Sequence, residues 1–219
     1  MKYLILLLLT TTAVFAQSEI SYKGETINKI DENGNKTGIW KIFDEANGIE
    51  VHFVYKNGER VEDTKYYKNG TLMLAFDLER NLVLYKDGKT VKAYYSRDDN
   101  DGTTQVPMED GTAVPQDILD YLIPFNTLHP MYYGGIKELT KYIADNIDHS
   151  KIKSVVGKTT VLFTLDRNGF IAVDEIKGTD NPQYIEEVKK VLAQAPRWQP
   201  GYQVGGFVKC SFSLPLTLK

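Results

Sequence analysis

The side chains that could do chemistry are few and scattered. In 219 residues there is one cysteine, Cys210, and three histidines, His52, His129 and His149. A structural zinc centre needs four nitrogen or sulfur ligands at close spacing, and these four residues never cluster. A lone thiol forms no internal disulfide. The adjacent acidic pairs, Glu62-Asp63 and Glu186-Glu187, place their members on different sides of a strand or helix, so they do not converge for acid–base work. Asp98-Asp99-Asn100-Asp101-Gly102 collects the hard oxygen ligands that calcium takes. An EF-hand loop would need Glu at its twelfth position and a helix on each side. Counting from Asp98 or Asp99 reaches Glu109 or Asp110, with no helical pattern around them, so the stretch reads as a solvated loop. Neither Gly-x-Ser-x-Gly nor a phosphate-cradling glycine loop occurs, and Gly201 to Gly206 precedes a strand instead of opening a helix. The expectation is a protein with no catalytic residues, no cofactor and no metal.

Charge narrows the class further. The chain holds 26 Lys+Arg and 29 Asp+Glu for a net −3, without the basic stripe that nucleic acid or an anionic membrane surface attracts. No nucleic-acid partner is expected. The balance is uneven: residues 103–130 carry four acidic side chains and no basic one, whereas 131–219 carry twelve basic against nine acidic.

Lys2, the apolar run Leu4 to Leu9, and Ala13-Val14-Phe15-Ala16 have the charged, apolar and small-residue order of a secretory leader, cut after Ala16. As a helix, Tyr3 to Ala16 spans about 21 Å at roughly 1.5 Å per residue, short of a hydrocarbon core of about 30 Å. The expectation is a periplasmic or otherwise exported protein with no stable membrane span after cleavage.

The rest divides by grammar. From Tyr22 to about Tyr95 one phrase recurs: Tyr55-Lys56-Asn57-Gly58, Tyr67-Lys68-Asn69-Gly70 and Tyr85-Lys86-Asp87-Gly88, after a looser Asp31-Glu32-Asn33-Gly34. Asn-Gly and Asp-Gly are the residues of a type I′ hairpin turn, which needs positive φ at both central positions. An antiparallel meander is expected over 17–102. Four prolines and the acidic bias mark 103–130 as a linker, with a short helix over Asp117 to Leu122. Beyond it, Ile136, Leu139, Ile143 and Ile147 fall on one helical face, ending near Asn146. Val161, Phe163 and Leu165 alternate in a strand that Asp166-Arg167-Asn168-Gly169 turns back. Asn181-Pro182 caps a helix with Ile185, Val188, Leu192 and Ala195 inward, stopped by Pro196. Phe207 to Leu218 then reads as one closing strand, with Val208, Cys210, Phe212, Leu214, Leu216 and Leu218 on its apolar side. The fold class is α+β, and the second domain, 131–219, has the order αββαβ.

The first half, through Thr37-Gly38-Ile39-Trp40 and the three Tyr-Lys-Asn/Asp-Gly turns, resembles the MORN-like repeat families, including the YwqK-type antitoxin repeat proteins. The second half resembles the C-terminal domain of the TonB family. The phrases that carry it are Tyr133-Gly134-Gly135-Ile136, Val161 to Gly169, Trp198-Gln199-Pro200-Gly201, and Gly205-Gly206-Phe207-Val208 through Leu214-Pro215-Leu216.

The second resemblance implies a binding module in the cell envelope of a Gram-negative bacterium. Its members take an extended peptide of an outer-membrane receptor as an added strand, so the partner implied is a receptor peptide or another envelope protein involved in transport. Strand addition needs a free sheet edge. On the closing strand the outward parity is Phe207, Lys209, Ser211, Ser213 and Thr217. The family usually has a Tyr-Pro pair after the first helix that seats the peptide; His149 and Ser150 stand there. The edge is open to a foreign strand, to a second copy in a homodimer, or to the linker. A repeat domain in place of a spanning helix and long arm implies something other than a complete energy transducer. The competing reading is a structural scaffold whose tyrosine-rich sheet, with Trp40, contacts glycan or cell-wall material.

Overall fold

A computed structural model describes residues 19–79, 81–86, 89–93, 96–97, 104–105, 127–150, 152, 157–203 and 206–218. The expected leader with its cut after Ala16, the Asp98 to Gly102 loop, the Asp87-Gly88 turn, the Asp117 to Leu122 helix and most of 103–130 lie outside them. Among the described residues no helix is long and apolar enough to cross a membrane.

Turn chemistry builds the first half. Strands β1 (Ile20–Tyr22) and β2 (Glu25–Ile27) form a small hairpin. After them come β3 (Lys29–Ile30), β4 (Lys36–Asp44), β5 (Ile49–Lys56), β6 (Glu59–Arg60), β7 (Thr64–Lys68), β8 (Thr71–Phe76), β9 (Leu82–Lys86) and β10 (Lys89–Ala93). Apart from the short β6, which pairs with β5, they form one antiparallel sheet in chain order, β3 to β10. Asn57-Gly58 has φ of 52° and 84°, and Asn69-Gly70 49° and 78°, the positive pair that a type I′ turn demands. Lys23-Gly24 makes the same turn without the Asn signal. Alternation then points Trp40, Ile42, Val51, Phe53, Tyr66 and Leu74 to one side as a core.

Two further short strands, β11 (Ser96–Arg97) and β12 (Thr104–Gln105), pair with each other, and β13 (Thr127–Leu128) opens the second half. Helix α1 (Gly135–Asn146) buries Leu139 and Ile143, with Ile147 as its cap. Ile136, expected on the buried face, is 53% exposed, because it sits in the first turn with nothing packed over it. Strands β14 (Gly157–Leu165) and β15 (Ile171–Lys177) make the expected hairpin. In α2 (Pro182–Ala193), Asn181 accepts hydrogen bonds from the backbone N–H of Gln183 at 3.0 Å and of Tyr184 at 3.1 Å, with Pro182 at the first helical position. The chain closes with β16 (Gly201–Gln203), β17 (Gly206–Val208) and β18 (Cys210–Leu218). Two sheets result, β13-β16-β17 and β15-β14-β18. The mixed α+β class stands: among the described residues the sheets are antiparallel and there are two short helices.

The closing strand is not one element. It leaves β16 at Lys209 and continues along β14. Nor does 103–130 behave throughout as a spacer, since Thr127 and Leu128 pair with Gln203 and Tyr202. Leu128, Tyr202 and Phe207 all lie in the apolar cluster of the first sheet.

Polar contacts join the halves as firmly. The buried carboxamide of Gln199 works like a strand partner for Phe43, accepting from its N–H and donating to its C=O, both at 2.7 Å. The Tyr66 and Tyr202 hydroxyls lie 2.5 Å apart. Arg197, 1% exposed, donates to the carbonyls of Asn28 and Asn168. Lys36 reaches across to the carbonyl of Arg167 at 2.9 Å and to the Asn168 side chain, its ammonium 4.2 Å from the Trp40 ring centre.

Burial first, against the pull of the Asp166 carboxylate and helped by Arg197 and Arg167, holds the Lys36 ammonium down to about 8 from 10.5. Between those two values the unfolded chain keeps the proton and the folded chain releases it. Stability should therefore rise with pH from 8 upward, by at most about 1.4 kcal/mol per pH unit, and be flat in this term below pH 8. Tyr22, Tyr55 and Tyr132, each pushed up to about 12 first by burial, act in the opposite sense above pH 10. Urea denaturation from pH 7 to 9.5 should show the rise, and Lys36→Met should remove it. An unchanged slope in that variant would contradict the half-buried position of the Lys36 ammonium.

Candidate functional site

The residues expected to bind a partner separate into three places. Lys209, Ser211 and Ser213 lie along one exposed line on β18 and the junction before it. Phe207 does not join them. It is buried against Trp40, Phe53 and Tyr202, with ring centres 5.7, 5.1 and 5.6 Å away. Phe207 shares the parity of Ser211 and Ser213, but the face it points to changes character along the strand. At β18 that face is solvent; at β17 the first-half sheet covers it.

His149 and Ser150 are exposed in the turn after α1. The Asp148 carboxylate accepts from the backbone N–H and the hydroxyl of Ser150 at 3.0 and 2.6 Å. Glu187 of α2 accepts from the Asp148 N–H at 3.2 Å and so fastens the turn to the helix.

β18 runs nine residues and, among the described residues, pairs on one side only, with β14, in unbroken register from Cys210↔Leu165 to Leu218↔Gly157. Leu214 and Leu216 face the core with Val161, Phe163 and Leu165 of β14, while Ser211, Ser213, Pro215 and Thr217 are exposed. Pro215 has no N–H to give, and it stands opposite Thr160 with no bulge. In an edge strand such a proline keeps its nitrogen on the solvent side. Residues of the same parity therefore turn their N–H and C=O outward: Ser211, Ser213 and Thr217 offer a donor and an acceptor each, Pro215 an acceptor alone.

Most exposed edges are blunted by charges, bulges or short length. Here the guards are Lys209 at one end and Pro215 near the other, with small neutral side chains between. Beneath the strand, Phe212 stacks on Phe163 at 5.6 Å and lies 5.6 Å from Trp198, so the edge rests on a rigid aromatic layer. Cys210 is partly exposed, its Sγ 4.0 Å from the carbonyl of Val208, and burial pushes its thiol up, away from the reactive thiolate.

The glycan-contacting alternative loses its principal residue. Trp40 is wholly buried, its indole N–H donating to the Lys29 carbonyl at 3.0 Å, and Tyr66 is buried with it. Tyr67 alone of the Tyr66-Tyr67 pair turns to the outer face, where its ring lies 4.5 Å from that of His52.

No family model, curated protein or solved structure matches the chain.

Proposed function

We propose that this protein is an exported, non-catalytic component of the cell envelope that captures an extended segment of a protein partner as an added strand on β18. The observation that carries this reading is a nine-residue strand that, among the described residues, has one paired side, and that turns a row of backbone groups away from β14. Main-chain hydrogen bonds would supply affinity, and the small side chains of Ser211 and Ser213 would admit bulkier side chains of the incoming strand. The likeness to the TonB C-terminal domain rests on its sequence phrases alone; it would place the partner among proteins of envelope transport.

The parity of β18 defines the test. Ser211→Pro and Ser213→Pro each delete an outward N–H while leaving the ladder to β14 intact, at a folding cost of about 1–2 kcal/mol. Capture of a defined protein from envelope extract should be lost in both variants and kept in Ser213→Ala. In the protein alone, hydrogen exchange at Ser211, Ser213 and Thr217 should be fast, and at Phe212, Leu214 and Leu216 slow. Capture that survives both prolines, or outward amides already protected at micromolar concentration, would refute strand addition. A dimer that dissociates on Ser213→Pro would make a second copy the occupant.

A further inference from the structure

A second site lies where the two halves meet. An open cleft of about 370 Å³ is bordered by Ile20 and Ser21 of β1, by Tyr132 and Tyr133, by Tyr142 and Glu138 of α1, and by Pro196. The volume is at the low end for a ligand site, suited to one small group and not to a whole cofactor. Such junctions between packed units are where ligand sites tend to fall.

The polar groups around it are not equivalent. The Tyr133 hydroxyl accepts from the Asn28 side chain at 2.6 Å, and that of Tyr142 donates to the Gln194 carbonyl at 2.9 Å. Tyr132 differs. The residue as a whole is 5% exposed, and its hydroxyl, which is not sealed from solvent, has no hydrogen-bond partner among the described residues. An accessible hydroxyl on the wall of a cleft that no neighbouring group uses is free for a ligand atom.

Charge defines what that atom belongs to. Lys141 is neutralised by Asp145 one turn further along the same helix. Glu138 has no ion-pair partner among the described residues, and its charge is close enough to help raise the Tyr132 hydroxyl. Asn146 uses its amide N–H on the Tyr142 carbonyl at 2.8 Å, which leaves its oxygen open. The unused groups are thus mostly acceptors, with one net negative charge, set among tyrosine rings. Gly134 suits this arrangement: its φ is 87°, and a Cβ there would stand 2.8 Å from Cγ of Glu138 and push that side chain aside.

A carboxylate lacks the donors to use these acceptors, and Glu138 repels it. A sugar would fit the rings but leave the charge unanswered. A guanidinium group meets every feature, being planar, permanently charged, rich in donors without an acceptor, and able to stack on aromatic faces. We propose that this cleft binds an arginine side chain presented by a peptide partner, with the guanidinium on Glu138 and the Tyr132 hydroxyl and its flat face against the tyrosine rings. This holds whether or not β18 adds a strand.

The probe is N-acetyl-arginine amide, titrated into the purified protein and followed by amide chemical shifts, with the neutral isostere N-acetyl-citrulline amide and the disaccharide chitobiose as comparisons. Arginine amide should shift resonances of residues 20–21 and 132–146 and saturate in the millimolar range. Citrulline amide should bind at least about tenfold more weakly, which is what loss of one charge-assisted contact amounts to. Glu138→Gln should weaken arginine about tenfold, and Tyr132→Phe a few-fold. Neither change should move the thermal midpoint, because Glu138 is exposed and the Tyr132 hydroxyl has no partner to lose. Rising salt should weaken arginine binding. Equal binding of citrulline, an unaffected Glu138→Gln variant, absent shifts at these residues, or chitobiose saturating them in place of arginine would each overturn the proposal.

Discussion

Gly169→Ala should cost more than about 4 kcal/mol of stability in urea denaturation, or leave no folded protein at all, whereas Gly34→Ala should cost about 1–2 kcal/mol. The two glycines end matching turns, Asp31-Glu32-Asn33-Gly34 and Asp166-Arg167-Asn168-Gly169. In each the aspartate Oδ1 accepts two backbone N–H groups, two and four residues on. Their φ values are nearly equal, 82° and 87°, so the penalty for giving an L-residue a left-handed backbone is the same. Their surroundings are not. A Cβ on Gly34 meets nothing within 4 Å, while one on Gly169 would stand 1.9 Å from the carbonyl oxygen of Trp198. That oxygen belongs to backbone, and the Trp198 N–H donates to the Gly169 carbonyl at 2.9 Å, so neither chain can yield without breaking the contact. Equal losses in the two variants would mean that the hairpin turn does not dock on the Trp198 segment.

Arg197→Ala should cost about 3–5 kcal/mol, and Arg197→Met about 2 kcal/mol, with unfolding remaining one transition in both. The alanine variant opens a cavity between Trp40 and Phe170, whose ring centres lie 5.8 and 5.3 Å from the guanidinium carbon, and strands the carbonyls of Asn28 and Asn168. Each stranded acceptor accounts for about 1–3 kcal/mol, and the cavity adds to it. Methionine refills most of the volume but supplies no donor. It also removes a charge that burial disfavours enough to press the guanidinium down to about 10, which is why its cost is the smaller. The same contacts bear on the wild type: Gln199, Arg197 and Tyr202 hydrogen-bond to groups of the first half, and Phe207 packs into its apolar cluster. Calorimetry of the whole protein should show a single cooperative transition, and residues 131–219 alone should be aggregation-prone, with that surface exposed. Two separate transitions, or a loss below 1 kcal/mol in Arg197→Ala, would contradict the joint.

What was legible in the sequence is what neighbours in the chain decide. Asn57-Gly58 and Asn69-Gly70 specify their turns because only such residues accept positive φ twice in succession. Asn181-Pro182 announces a helix because it satisfies one end's orphan N–H groups and pre-sets the backbone. The strand Val161 to Leu165 shows its buried side by alternation, and the exposed row Lys209, Ser211 and Ser213 follows from the same period of two. Sequence reasoning missed Gln199, Arg197 and Tyr132. The Trp-Gln-Pro-Gly phrase was noticed only as a family likeness, and nothing local says that its glutamine will pair with Phe43, 156 positions away.

The amino-acid order by itself determined the turns, the helix limits and the alternation of each strand, because these depend on backbone sterics and on periods of 2 and 3.6 residues. Only the tertiary structure decided which face of an alternating strand meets solvent. Phe207 and Ser213 share one parity, yet one is buried and the other exposed, since a sheet from the far end of the chain covers the first and stops short of the second. The cleft at Tyr132 and the joint at Arg197 have that same origin: each exists because of where the first half rests on the second, a placement set by apolar burial and backbone pairing between residues distant in the chain.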